Sequence, residues 1–221
     1  MIGRVMTSAA AFISCSPQIL LSSGPYTNED IGKVDAHGNI FAGIWRPVAW
    51  NPGTGMNENL GCYYVFAAPE DLRHSKHAGQ LFHCFGAVVR EVGGIKGYRG
   101  HDGIELFCDE AVSAALRDKS IIGKWFIPTL DLVHGEDIGG CRDHNQSLIN
   151  NKDVGAFAGT FQDKHPAVSY VTLTKSRTNT AIAYRANFAD GQLHRMWTYQ
   201  TTHLRCRPVF VLEAGLGALA P

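Results

Sequence analysis

Gly123-Lys124-Trp125-Phe126-Ile127-Pro128-Thr129 joins a helical pattern on its N-terminal side to a proline-started turn on the other. Upstream, residues 102–119 predict an amphipathic helix. Asp102 is a suitable N-cap, and Ile104, Phe107, Cys108, Ala111, Val112, Ala115 and Leu116 recur on one face. Arg117 and Lys119 sit where a helix C-terminus favours cations, and Gly123 is a stop signal. Residues 124–127 then read as a short strand. Pro128 suits the first turn of a second helix carrying Leu130, Leu132 and Val133.

Beyond Gly139-Gly140 the spacing predicts a polar helix over 142–151 with Leu148 and Ile149 inward. The pattern then turns to strands at 169–174, 180–189, 192–199 and 203–212, with Asp190-Gly191 as a hairpin turn. Residues 1–60 carry no helix signal. Asp35 to Asn39 has the make-up of a hairpin tip, and 40–50 read as an edge strand because of Pro47. Asn51 to Gly55 reads as a loop. Residues 62–67 are a dense aromatic and β-branched run, expected to be a buried strand. Pro69-Glu70-Asp71-Leu72 reads as a short helical turn, and 81–92 as another apolar strand. The glycine-rich stretch at 93–103 has neither a Walker lysine–serine pair nor a G-x-G-x-x-G spacing, so it is not a phosphate loop.

Composition narrows the classes. Twenty basic residues balance twenty acidic ones, which leaves no overall field to attract nucleic acid or anionic membrane. The 24 glycines and 9 prolines call for many turns and a β-rich fold. Cysteines at 15, 62, 84, 108, 141 and 206 include no C-x-x-C pair; they are read as buried free thiols, although six would permit three disulfides in any of about fifteen pairings. The first fifteen residues faintly resemble a leader, but Thr7 and Ser8 interrupt the apolar run, and the stretch is read as a strand packed into the fold. No run approaches the roughly eighteen apolar residues of a membrane span.

Five landmarks in order resemble the C-terminal domain of collagen-like adhesins, the Lcl C-terminal domain family. GKWFIPT, following an alanine-rich helix, is similar to its W-R-L-P-T signature, and Asn150 to Phe161 (NNKDVGAFAGTF) fits its middle segment. Tyr170-Val171-Thr172-Leu173-Thr174 stands where that family has Y-W-S-S-T. Ala183 to Gly191 (AYRANFADG) resembles its A-W-x-V-x-F-x-D-G hairpin, and Leu204-Arg205-Cys206-Arg207-Pro208-Val209 its closing V-R-C-V-R. Val171 replaces the tryptophan and both serines are missing, so no family role passes to those positions. The resemblance spans residues 100–212. It implies an α+β, C-type-lectin-like fold, a twisted antiparallel sheet with two helices, over residues 76–221. A β-rich segment over 1–75, used for attachment or oligomerisation, precedes it. Such domains occur in adhesins and in phage or prophage proteins, and related folds include enzymes, so the fold does not decide function.

Cys108 near a helix start, with His165 or His194 as base, is the arrangement of a thiol hydrolase; its place on the apolar stripe beside Ile104 and Val112 reads instead as a core thiol. Cys141 and Cys206, both in the matched half, are the candidates for a copper or redox pair of the formylglycine-generating oxidase type, and no spacing requires them to meet. His74 and His77 share a helical face but lack a third ligand. Glu136, Asp137, Asp143 and Asn145 lack a calcium-loop pattern. A binding surface is available on the return strand: Arg195, Trp197 and Tyr199 alternate, with His203 and Arg205 on the next strand. Rings stack on sugar faces and arginine pairs with carboxylate or sulfate. The alternative is that Met196 and one ring close the core.

The reading is therefore a non-enzymatic structural or surface-binding protein without cofactor or metal, a component of a tailed-phage particle assembled in the host cytoplasm. Its expected partners are other virion proteins, further copies of itself and a cell-surface glycan, with neither nucleic acid nor membrane insertion. The alternatives are the Cys108 hydrolase and a bacterial glycan-binding adhesin placed outside the cell.

Overall fold

The computed structural model describes residues 24–51, 53–71, 98–99, 105–106, 109–135, 147–161, 163–164, 169–175, 182–197 and 205–215. At its centre is the aromatic run expected to be a buried strand. Strand β4 (Tyr63–Ala67) is buried at all five positions, with antiparallel partners on both sides. One partner is β1 (Ile40–Trp45) and the other is β10 (Val209–Glu213), so the strand order is β1-β4-β10. The register makes two cross-strand rows on one face: Phe41–Phe66–Phe210 and Ile44–Tyr64–Leu212. Phe66 and Phe210 stack at 5.1 Å, and Tyr26 packs edge-on against Tyr64. The opposite face carries Tyr63, Val65, Ala67, Val209 and Val211 into the main core.

A bulge between Phe41 and Gly43 sets Ala42 and Gly43 against the single residue Val65. It reverses the alternation within β1. Ile44 thus joins the aromatic face while Trp45 turns to the main core. Arg46-Pro47 then ends β1, and β2 (Val48–Asn51) and β3 (Met56–Asn59) form a separate hairpin through the loop expected at Asn51 to Gly55. The tip at Asp35 to Asn39 also forms as read: Asp35 N donates to Asn39 O at 2.9 Å, closing the Val34–Ile40 bridge.

The line drawn at residue 75 falls between β4 and its neighbour β10. Residues from both sides of it build this sheet.

The GKWFIPT stretch runs beside β10. Gly123 N donates to Val211 O, and Phe126 exchanges both backbone bonds with Val209. The expected strand is reduced to isolated bridges, with Trp125 edge-on to Phe210 at 4.8 Å and Phe126 and Ile127 fully buried. The helix before it, α1 (Asp109–Arg117), is shorter than the predicted 102–119. Extended pairing of β5 (Tyr98–Arg99) with β6 (Glu105–Leu106) takes residues 105 and 106 out of the predicted helix. The helix after the stretch, α2 (Leu130–His134), buries Leu130, Leu132 and Val133 as read.

Leu148 and Ile149 are buried, but the described part of the expected helix at 142–151 is a series of turns. The reason is in the backbone: Leu148 N and Ile149 N donate to Leu132 O and Val133 O of α2 rather than within a helix of their own. The second three-stranded sheet is β7 (Tyr170–Lys175), β8 (Ile182–Ala186) and β9 (Leu193–Trp197), all antiparallel, with Asp190-Gly191 in the β8–β9 turn. Arg205 pairs with the other edge of β7 through Val171 N→Arg205 O (2.8 Å) and Arg205 N→Ser169 O (3.0 Å). Four residues later the same chain enters β10, so residues 205–209 join the two sheets. The architecture is a sheet-rich α+β fold of antiparallel sheets with few helices. Among the described residues no helix is long and apolar enough to cross a membrane.

Candidate functional site

The β8–β9 hairpin brings two of the five expected binding residues together. Its register sets Arg195 opposite Tyr184 and Trp197 opposite Ile182, so Arg195 and Trp197 occupy one face of β9. Arg195 is exposed, and Tyr184, its cross-strand neighbour on the same face, is buried. β9 is the outer strand of the described sheet. Tyr199 and His203 lie outside the described residues.

Arg205 does not join that face. It sits across the sheet, beyond β7, where its Nη1 donates to Asp71 Oδ2 at 3.0 Å. Asp71 also accepts from the Tyr170 hydroxyl (3.0 Å) and from Arg207, whose Nη2 is 2.8 Å from Oδ1. Arg207 is almost wholly buried. Its remaining donors reach Thr160 O (2.8 Å), Thr160 Oγ1 and Ala68 O, and its guanidinium lies 4.1 Å from the Phe161 ring centre. A buried cation needs such complete pairing. This cluster is a clamp across four chain segments. The alternation of Arg205 and Arg207 around Cys206 was its only sequence signal.

The thiols separate by environment. Cys206 is fully buried, and burial, helped by the Asp71 charge, pushes its thiol far above the ordinary range. Cys62 is half-buried and free. Cys108, Cys141 and His165 lie outside the described residues, as do the histidines at 74 and 77 and the acids at 136, 137 and 143. His194 faces away from Arg195, with Nε2 3.9 Å from Asp190 Oδ2. Among the described residues no group of three histidine, cysteine or acidic side chains could hold a metal ion.

Two carboxylates have opposite settings. Glu58 in the β2–β3 hairpin accepts from Arg117 Nε and from Asn51, which hold its carboxyl below the usual range. Asp131 in α2 is desolvated, which holds its carboxyl above that range despite bonds from the Thr129 hydroxyl and from Trp45 Nε1 at 2.6 Å. Sequence reading missed Asp131 because its partner is 86 positions away.

The arrangement offers an exposed cation on an outer strand, held by a sheet that is tied on its far edge. No family model, curated protein or solved structure matches the chain.

Proposed function

We propose that the protein is a non-enzymatic surface-binding or structural protein, a component of a tailed-phage particle, and that the Arg195–Trp197 face of β9 makes its contacts. In this reading the sheet-rich fold is a C-type-lectin-like domain. The ordered landmarks of the adhesin-like resemblance support it, with the tryptophan-containing stretch beside β10 and the Asp190-Gly191 turn joining β8 to β9. The observation that carries the reading is the exposed Arg195 beside Trp197 on the outer strand, in a sheet whose other edge is fastened through Arg205 and Asp71. Arginine next to an aromatic residue fits an acidic sugar or an acidic protein surface.

Light scattering combined with a cell-surface binding assay tests this. A trimer or larger assembly that binds bacterial cells supports the proposal. A monomer at high concentration with no affinity for capsid, tail or cell surface overturns it.

A further inference from the structure

The second sheet has one closed edge and one open edge. Beyond β7 it is continued by Arg205, through the bonds from Val171 N and Arg205 N. On the other side, β9 has β8 as its single strand partner among the described residues. The two strands pair in unbroken register along their whole length, and β9 contains neither bulge nor proline. Such an edge is a template for a further strand.

The register determines which backbone groups that edge presents. Asn187 N donates to Gln192 O at 2.9 Å, so these two residues form a bonded pair. Bonded and non-bonded pairs alternate along an antiparallel ladder. His194 and Met196 therefore direct their backbone groups to Arg185 and Ala183. Leu193, Arg195 and Trp197 stand in non-bonded pairs, and their N–H and C=O groups point away from β8. The Tyr184 carbonyl fixes the same phase. Tyr184 is opposite Arg195, and its carbonyl turns the other way, to accept from the Thr172 hydroxyl of β7 at 2.9 Å. No described residue bonds to the outward groups of Leu193, Arg195 and Trp197. These are also the three β9 positions on the Arg195 face.

Charge selects the occupant. Strands β7, β8 and β9 contain Lys175, Arg185 and Arg195, and no aspartate or glutamate. Arg195 is exposed, and no described carboxylate pairs with it. A second copy of β9 added antiparallel about Arg195 would set arginine against arginine, which is destabilising. A strand bearing an acid would instead bring a carboxylate to that neighbouring position, within reach of a charge-assisted bond. We propose that β9 accepts an extended acidic segment of a partner protein as a fourth strand. The outward backbone groups of Leu193, Arg195 and Trp197 hold it, and Arg195 pairs with its carboxylate. This inference rests on the β9 contact surface proposed above and gives that surface a protein strand, not a sugar, as its ligand.

The test follows backbone amide exchange by NMR in the full chain. The probe is a short capped peptide that alternates glutamate with valine. In the free protein the amides of Leu193, Arg195 and Trp197 are expected to exchange faster than those of His194 and Met196. Peptide at about ten times its dissociation constant is expected to slow the first three by about tenfold. The same peptide with lysine for glutamate is expected to leave them unchanged. Leu193→Pro removes one outward N–H where an edge strand tolerates proline, and is expected to weaken peptide binding. A peptide that fails to bind, or that binds without slowing these amides, overturns strand addition. So does slow exchange of the three amides in the free protein, because the edge is then already covered. Should Leu193→Pro not fold, exchange in the parent chain decides. An acidic oligosaccharide that shifts the Arg195 resonances while the peptide does not bind overturns the inference and leaves the β9 contact reading standing. Cell-surface binding that survives both Arg195→Ala and Leu193→Pro overturns that reading as well.

Discussion

Gly32 and Gly155 meet backbone to backbone. A Cβ on Gly32 would lie 2.6 Å from the Val154 carbonyl oxygen, and one on Gly155 would lie 2.6 Å from that of Gly32. Ala156 N donates to Gly32 O at 2.7 Å across the same contact, fixing the 28–34 segment against the 147–161 loop. Both glycines have left-handed backbones, with φ of 83° and 52°. Gly32→Ala and Gly155→Ala are therefore each expected to destabilise by more than about 1–2 kcal/mol, the cost of the left-handed conformation alone. The close approach adds to that cost. Urea unfolding measures it. Because the two sites share one contact, the double variant is expected to cost less than the sum of the single variants.

Asp71 neutralises two arginines, one of them buried. Asp71→Asn leaves the Arg207 charge uncompensated in the interior, with an expected cost of about 3–5 kcal/mol. Arg207→Met leaves Asp71 paired with Arg205, fills much of the same volume and is expected to cost less. Thermal unfolding of the two variants side by side checks that order; a milder Asp71→Asn would contradict the clamp.

The local parts of this fold were legible. An aromatic run gave β4, Asp190-Gly191 gave the β8–β9 turn, and the apolar spacing of Leu130, Leu132 and Val133 gave α2, although Pro128 lies before its N-cap Thr129 and not in its first turn. Long-range pairing was not legible. Nothing in residues 62–67 says that the strand beside them comes from 209–213, and nothing near Leu148 says that its amide serves α2 instead of a helix. The candidate site divides in the same way. Alternation placed Arg195 and Trp197 on one face, but Arg205 looked like a member of that face until its position beyond β7 brought Asp71 within reach. A carboxylate 134 positions away leaves no local trace.

The two described cysteines should differ sharply in reactivity. The nucleophile is the thiolate, and the raised thiol of buried Cys206 keeps it protonated until strongly alkaline pH. Iodoacetamide at neutral pH, read by peptide mass mapping, is expected to label half-buried Cys62 and to spare Cys206 in the folded protein. The same map decides the hydrolase alternative. Cys108 labelled far faster than all the others would overturn the non-enzymatic reading.

Arg195→Ala is expected to leave stability within about 0.5 kcal/mol of the parent, as for other exposed positions away from caps and networks. If the β9 face makes the contacts, the same change weakens cell-surface binding by roughly tenfold or more, the scale of one charge-assisted contact. Arg205→Ala reverses the pattern, because its guanidinium belongs to the Asp71 clamp: stability falls and binding by the folded fraction persists. Equal effects of the two variants on binding would move the contact surface away from β9.

Truncation tests how the first part of the chain relates to the rest. Removing residues 1–60 deletes β1 and with it Ile40, Phe41 and Trp45, and takes Val34 from the same core. β4 is left with a single partner, the Phe41–Phe66–Phe210 row loses its first ring, and Asp131 loses the Trp45 bond. At about 1.5–3 kcal/mol for each large buried side chain, these losses match the ~5–15 kcal/mol net stability of an ordinary domain. The truncated chain is expected to show no cooperative transition by circular dichroism on urea titration. A change in its light-scattering mass would then report unfolding rather than release of an assembly module. A cooperative transition in the fragment would show instead that the C-terminal strands fold without β1, and the mass comparison would then measure assembly directly.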